Sequence, residues 1–242
     1  MKISVLKALF VLFLVTSCHF KEDIYINEDG SGRIEAECLR DENIYMQSMG
    51  EEYFTHEEFT DSTYVVKDVI EKEKEIFSRF LPEHQALLRR YENVKVRTKK
   101  DSYAKDYRKM VSMAFKNINE VEDLTNVYDY VDDLQNNYPM KPEGKRTHLN
   151  YTFDGTIFRR NFKVLNQARY DEYKETIQSY RQLLNISNFS YTSNYHFPRK
   201  IKSVSNPDAV LSADKKMLTL KMSAIDCLDN PEIAFLEVVL EK

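Results

Sequence analysis

Apolar and polar positions alternate at both ends of this chain and recur at helical spacing in its middle. Ile24 and Ile26 share one parity, Glu28-Asp29-Gly30-Ser31-Gly32 makes a turn, and Ile34, Ala36 and Cys38 share a parity on the return. Arg33, Glu35 and Glu37 take the other face, which is the pattern of an antiparallel sheet wet on one side. Residues 40–60 are acidic and aromatic without a period, and no element is assigned to them. From Tyr64 to Phe80, Val66, Val69, Ile70, Phe77 and Phe80 fall on one helical side. Pro82 can open a second short helix carrying Leu87, Leu88 and Tyr91. Strands are predicted at 94–100 and 107–116.

The clearest helical stripe is Leu124, Val127, Tyr128, Val131 and Leu134, in a helix predicted over 120–137. Asn119 and Glu122 have the spacing of a capping box, and Pro139 ends the segment. Leu149, Tyr151 and Phe153 then alternate into Asp154-Gly155, a hairpin signal, and Phe158, Phe162 and Val164 return. A helix over about 168–185 groups Tyr173, Ile177, Tyr180 and Leu184. Tyr191 to Phe197 reads as a strand stopped by Pro198, and Leu218/Leu220/Met222 and Leu236/Val238/Leu240 alternate as two more. Strands at both ends with helices grouped between them predict an α+β fold: an antiparallel sheet with about three helices on one face.

The first residues have a different logic. Lys2 and Lys7 precede an unbroken apolar run, Ala8 to Val15. A charged start and a run shorter than the roughly 20 residues of a membrane span make a removable export signal. The run ends in Leu14-Val15-Thr16-Ser17-Cys18. This resembles the lipobox of bacterial lipoproteins: an aliphatic residue, two small residues and the acceptor cysteine. The resemblance implies a diacylglyceryl group on the Cys18 thiol, cleavage just before Cys18 and further acylation by fatty acids such as palmitate. Two acyl chains suffice for lasting attachment where one does not. The organisation that follows is a signal peptide over 1–17, a short lipidated tether over 18–22 of roughly 14 Å when extended, and a single domain over 23–242. The stretch from Phe197-Pro198-Arg199-Lys200-Ile201 onward resembles the LppM-like lipoproteins without a functional motif to transfer. His19 follows the cysteine in place of the aspartate that retains lipoproteins in an inner membrane, so an outer membrane is favoured.

Composition adds mainly exclusions. With 42% hydrophobic and 31% charged residues, the chain is neither disordered nor polytopic. Its net charge of −4 becomes more negative when the two signal lysines leave, so neither nucleic acid nor a polybasic attraction to lipid is expected. Five glycines leave little material for phosphate loops, and neither H-E-x-x-H nor C-x-x-C occurs. An exported compartment permits a Cys38–Cys227 disulfide, although the two differ in strand parity and two thiols are the simpler reading. His56-Glu57-Glu58 and the carboxylates Asp129, Asp132 and Asp133 are the local metal candidates, both more simply read as solvated faces. Asn150, Asn185 and Asn188 head glycan acceptor triplets, and Asp61-Ser62-Thr63 reads as a helix N-terminus. No cofactor is implied. The expected function is non-catalytic binding of an envelope partner protein or ligand at the membrane face. The alternatives are a carrier of lipid or another hydrophobic ligand and a hydrolase with a site assembled in space.

Overall fold

The computed structural model describes residues 18–40, 59–140, 147–184 and 190–242, with the isolated positions 42, 46 and 50. The segment read as an export signal, His56-Glu57-Glu58, Asn185 and Asn188 lie outside the described residues.

The N-terminal hairpin forms as the alternation predicts. β1 (Cys18–Ile26) pairs with β2 (Gly32–Arg40), with Ile24 opposite Ile34. β1 begins at Cys18 itself, so residues 18–22 are paired strand and not the expected tether. The physical reason is that β1 has neighbours on both sides, which engage its backbone from the first residues onward. β3 (Phe59–Val65), β4 (Lys95–Asp101) and β5 (Asp106–Phe115) extend the sheet beyond β2. On the other side of β1 lie β8 (Ser190–His196), β11 (Met217–Ser223) and the two-residue β10 (Val210–Leu211). The order of this eight-stranded sheet is β10-β11-β8-β1-β2-β5-β4-β3. β8 runs parallel to β1, so the sheet is mixed and not purely antiparallel.

A second sheet has four strands in the order β6-β7-β12-β9, formed by β6 (Thr147–Phe153), β7 (Ile157–Val164), β12 (Leu236–Leu240) and β9 (Ile201–Val204). It covers the part of the large sheet around β8 and β1, where the Phe158 ring lies 5.3 Å from that of Tyr195 and 5.5 Å from that of Phe197. Helices α1 (Val66–Lys72), α2 (Lys74–Phe77), α3 (Pro82–Arg90) and α4 (Val127–Gln135) bury Val66, Val69, Leu88, Val127, Val131 and Leu134 in the same core. α4 brings the Tyr128 ring within 5.0 Å of Lys109 on β5. α5 (Gln167–Leu184) and α6 (Ala224–Asp229) complete the chain. The α+β class stands, with two sheets sharing what the sequence assigned to helices on one face.

Cross-strand pairing gives the large sheet two unlike faces. Leu220, Ser193, Glu22, Ala36, Val111, Val96 and Tyr64 form one inward row, and Leu218, Tyr195, Ile24, Ile34 and Met113 form the next. The outward face carries Lys21, Asp23, Glu35, Glu37, Arg97 and Asn194.

Four local expectations change. Asp61-Ser62-Thr63 lies in β3, where Arg97 grips the Asp61 carboxylate with two bonds of 2.8 and 2.7 Å across the strand pair. The helical run from Tyr64 therefore starts only at Val66 and breaks at Glu73. The 120–137 helix begins at Val127, after two 3₁₀ turns. Asn119 does not cap it, because its amide is used by β6, accepting from the Phe153 N–H at 2.6 Å and donating to the Phe153 carbonyl at 3.3 Å.

Gly32 is required by close approach. A Cβ there would overlap the Tyr25 carbonyl oxygen and come within 2.8 Å of the Phe115 ring. Gly32→Ala is expected to destabilise by about 1–3 kcal/mol, read as a lowered urea midpoint with an unchanged slope.

Candidate functional site

Inward parity on β1 carries Glu22 into the core with Ile24 and Ile26. Glu22 is 3% exposed, between Ser193 and Ala36. The facing sheet answers it with the row Tyr151, Arg160 and Leu236, in which Arg160 is 4% exposed. The Tyr151 hydroxyl donates to Glu22 Oε1 and the Tyr191 hydroxyl donates to Glu22 Oε2. Arg160 donates through Nη2 to the Tyr191 hydroxyl at 3.4 Å and through Nη1 to the Ala234 carbonyl at 2.6 Å. Its guanidinium carbon also lies 5.4 Å from the Tyr191 ring centroid. One phenol thus links the buried anion to the buried cation, and the connected residues come from both sheets.

The electrostatics follow from burial. Loss of solvent raises the Tyr151 and Tyr191 phenols well above their ordinary range, and the Glu22 charge adds to the effect. Burial opposes the Arg160 charge, but the Tyr195 and Tyr191 hydroxyls and Glu22 outweigh it, so its affinity for the proton rises further. Both phenols are hydrogen-bond donors at neutral pH. Arg160 Nε, Ser193 Oγ and the Tyr195 hydroxyl are buried beside this network without a well-formed hydrogen bond. The arrangement clamps two sheets together through charge-assisted bonds.

The outward face holds a shallow groove of about 240 Å³, lined by Lys21, Asp23, Glu35, Glu37, Lys95 and Arg97 among others. Its charges are of both signs, and within it Lys21 and Asp23 form a 2.7 Å ion pair. That bond is the main cause of the raised Lys21 affinity for its proton. The volume is below the roughly 300 Å³ at which ligand pockets usually begin.

The residues singled out by sequence are dispersed. Cys18 is the first residue of β1. Cys38 is in β2 and Cys227 is in α6, and both are thiols. Cys227 lies 3.7 Å from the Met222 sulfur on β11. Because β8 and β1 separate β11 from β2, Met222 and Cys38 stand three strand spacings apart, about 14 Å. A bridge needs Cα atoms within about 7 Å. The Cys38–Cys227 bridge is therefore not formed. Asn150 sits inside β6. Asp132 accepts from the Asn136 amide at 2.9 Å. Among the described residues, no group of three or more His, Cys, Asp or Glu side chains is placed to hold a metal ion. The Glu22–Arg160 cluster was missed because Lys21-Glu22-Asp23 reads as a solvated charge run. The available signal was parity, since Glu22 is in phase with Ile24 and Ile26.

Breaking the cluster from one side strands a buried charge. Arg160→Met is expected to cost about 3–5 kcal/mol, and Glu22→Leu combined with Arg160→Met less than the sum of the two single changes. A double-mutant cycle of urea unfolding measures this. The phenols also set an alkaline limit. Their folded affinities for the proton are raised, so their contribution is complete below the ordinary tyrosine value near pH 10 and is lost as pH rises beyond it. Thermal melts from pH 7 to 12 should fall above pH 10, and the fall should be shallower for Tyr151→Phe.

No protein-family model matches this chain, and no curated protein matches it. Among solved structures, the folded domain of LppM from Mycobacterium tuberculosis is similar at a TM-score of 0.42 and 9% identity, over 93% of this chain and 90% of that chain. This degree of likeness transfers no functional residue.

Proposed function

We propose that this chain is a membrane-anchored lipoprotein of a bacterial envelope, whose domain is non-catalytic and binds a partner protein at the membrane face. The observation that carries the reading is the junction at Cys18. A charged start, a short apolar run and Thr16-Ser17 lead to a cysteine that is also the first residue of a strand inside the eight-stranded sheet. Lipid on Cys18 would hold the sheet directly at the bilayer, without an intervening stalk. An outer membrane is favoured by His19 after the acceptor.

Binding is preferred to carriage because the described space between the sheets is filled by Tyr151, Phe158, Tyr195 and Phe197 together with the Glu22–Arg160 cluster. Exposed apolar groups lie instead at the surface, with Val210 66% exposed on the edge strand β10. Among the described residues, no helix is long and apolar enough to cross a membrane.

Metabolic labelling with a radioactive fatty acid tests the anchor. The wild-type chain should take up label and Cys18→Ser should not, with the serine variant retaining its uncleaved signal. Equal labelling of the two chains would sink the reading.

A further inference from the structure

The cluster between the sheets leaves one edge of the Arg160 guanidinium to be accounted for. Nη1 and Nη2 reach the Ala234 carbonyl and the Tyr191 hydroxyl, and Nε serves neither. Arg160 Nε, the Ser193 hydroxyl and the Tyr195 hydroxyl are all buried, and none of the three is in hydrogen-bonding geometry with a protein group. Ser193 and Tyr195 are 0% exposed and Arg160 is 4% exposed. An unmatched buried polar group costs about 1–3 kcal/mol, so three in one place require a common partner.

Topology brings the three together. Ser193 and Tyr195 are two apart on β8 and share its inward face, Ser193 beside Glu22 and Tyr195 beside Ile24. β7 faces them with Arg160 and, two residues earlier, Phe158, whose ring lies 5.3 Å from that of Tyr195. The Tyr195 hydroxyl is the meeting point. Burial and then Glu22 raise its hold on the proton, while Arg160 and Ser193 are close enough to lower it. Polar atoms that are near one another without bonding directly are where a bridging water sits.

The charge balance selects the ligand. Arg160 Nε–H can only donate, whereas each hydroxyl donates or accepts. Three donors together could hold a halide ion. Glu22 already balances Arg160, however, so a buried anion would leave an uncompensated negative charge beside a carboxylate. Water is neutral and both donates and accepts. It would accept from Arg160 Nε and one hydroxyl and donate to the other, the roughly three bonds that buried waters make. It needs only about 10–15 Å³ of room, which is compatible with an interior filled by rings.

We propose that Arg160 Nε, Ser193 Oγ and the Tyr195 hydroxyl hold one buried water that bridges β7 to β8. The water gives the guanidinium a second link across the sheets, beside the direct one to Tyr191. It exchanges with bulk only when the sheets part, so its residence time measures that opening. The site is independent of the anchor at Cys18.

Radiolytic hydroxyl-radical footprinting of the full-length chain in detergent tests this, because radicals formed from a bound water oxidise the side chain it touches. Tyr91 is the comparator: it is equally buried, and its hydroxyl donates to the Asp123 carbonyl at 3.1 Å. Oxygen should be added at Tyr195 and not at Tyr91. After mixing into heavy-oxygen water, the label should enter at Tyr195 more slowly than at the exposed Tyr138. Ser193→Val, which fills the space with methyl groups, should abolish oxidation of Tyr195 while Tyr91 stays protected, and that protection also reports a folded variant. Oxidation no greater at Tyr195 than at Tyr91, label entering as fast as at Tyr138, or oxidation that survives Ser193→Val would each overturn the site. A yield at Tyr195 that falls when chloride replaces gluconate would overturn water in favour of an anion. The measurements on the wild-type chain stand whether or not the variant folds.

Discussion

Glu22 lies in the apolar face of the large sheet, and everything packed over it must provide hydrogen bonds. A carboxylate removed from water costs several kcal/mol unless its oxygens are satisfied. Two phenols and a guanidinium supply that compensation, and they come from β6, β8 and β7. The small sheet therefore has one docking position in which Tyr151 and Arg160 reach Glu22 and Tyr191. The same constraint fixes the register of β1. A one-residue slip would bring Lys21 and Asp23 inward, turn Ile24 and Ile26 outward, and strand Arg160 opposite an unsuitable partner.

This places unusual responsibility on the first strand. β1 is held by β2, its local hairpin partner, and by β8, which lies some 170 residues later and runs parallel to it. Cys18 therefore sits at the start of a strand whose pairing closes the longest loop in the described fold. Force applied at Cys18 would act along β1 and against ladders on both sides. A lipid tail at such a position orients a rigid sheet, whereas the same tail on a flexible leader would only localise it.

The parts legible in the sequence share one property, which is that they are set by neighbours a few residues apart. Ile24/Ile26 against Ile34, Leu149/Tyr151/Phe153 against Phe158, and the helix opened by Pro82 follow from period and turn chemistry alone. β3 was not legible because it is an exposed edge strand. Its Phe-Thr-Asp-Ser-Thr run has no buried face to impose alternation, and it is held by cross-strand pairs such as Asp61–Arg97. Asn119 shows the opposite failure: the local capping signal was present, but a strand 34 residues away claimed the side chain. Glu22 and Arg160 looked like ordinary surface charges because charge type dominates a linear reading. Their burial depends on the parity of strands that meet only in the folded chain.

By itself, the sequence determined the α+β class and most element positions, because local periodicity and turn chemistry are properties of contiguous residues. Only the tertiary structure decided that the apolar strands divide between two sheets, that Cys18 starts a strand inside one of them, and that Glu22 and Arg160 are buried together. Those outcomes depend on pairings between segments far apart in the chain, and such pairings are selected by which arrangement buries the apolar faces while leaving each buried charge with a partner.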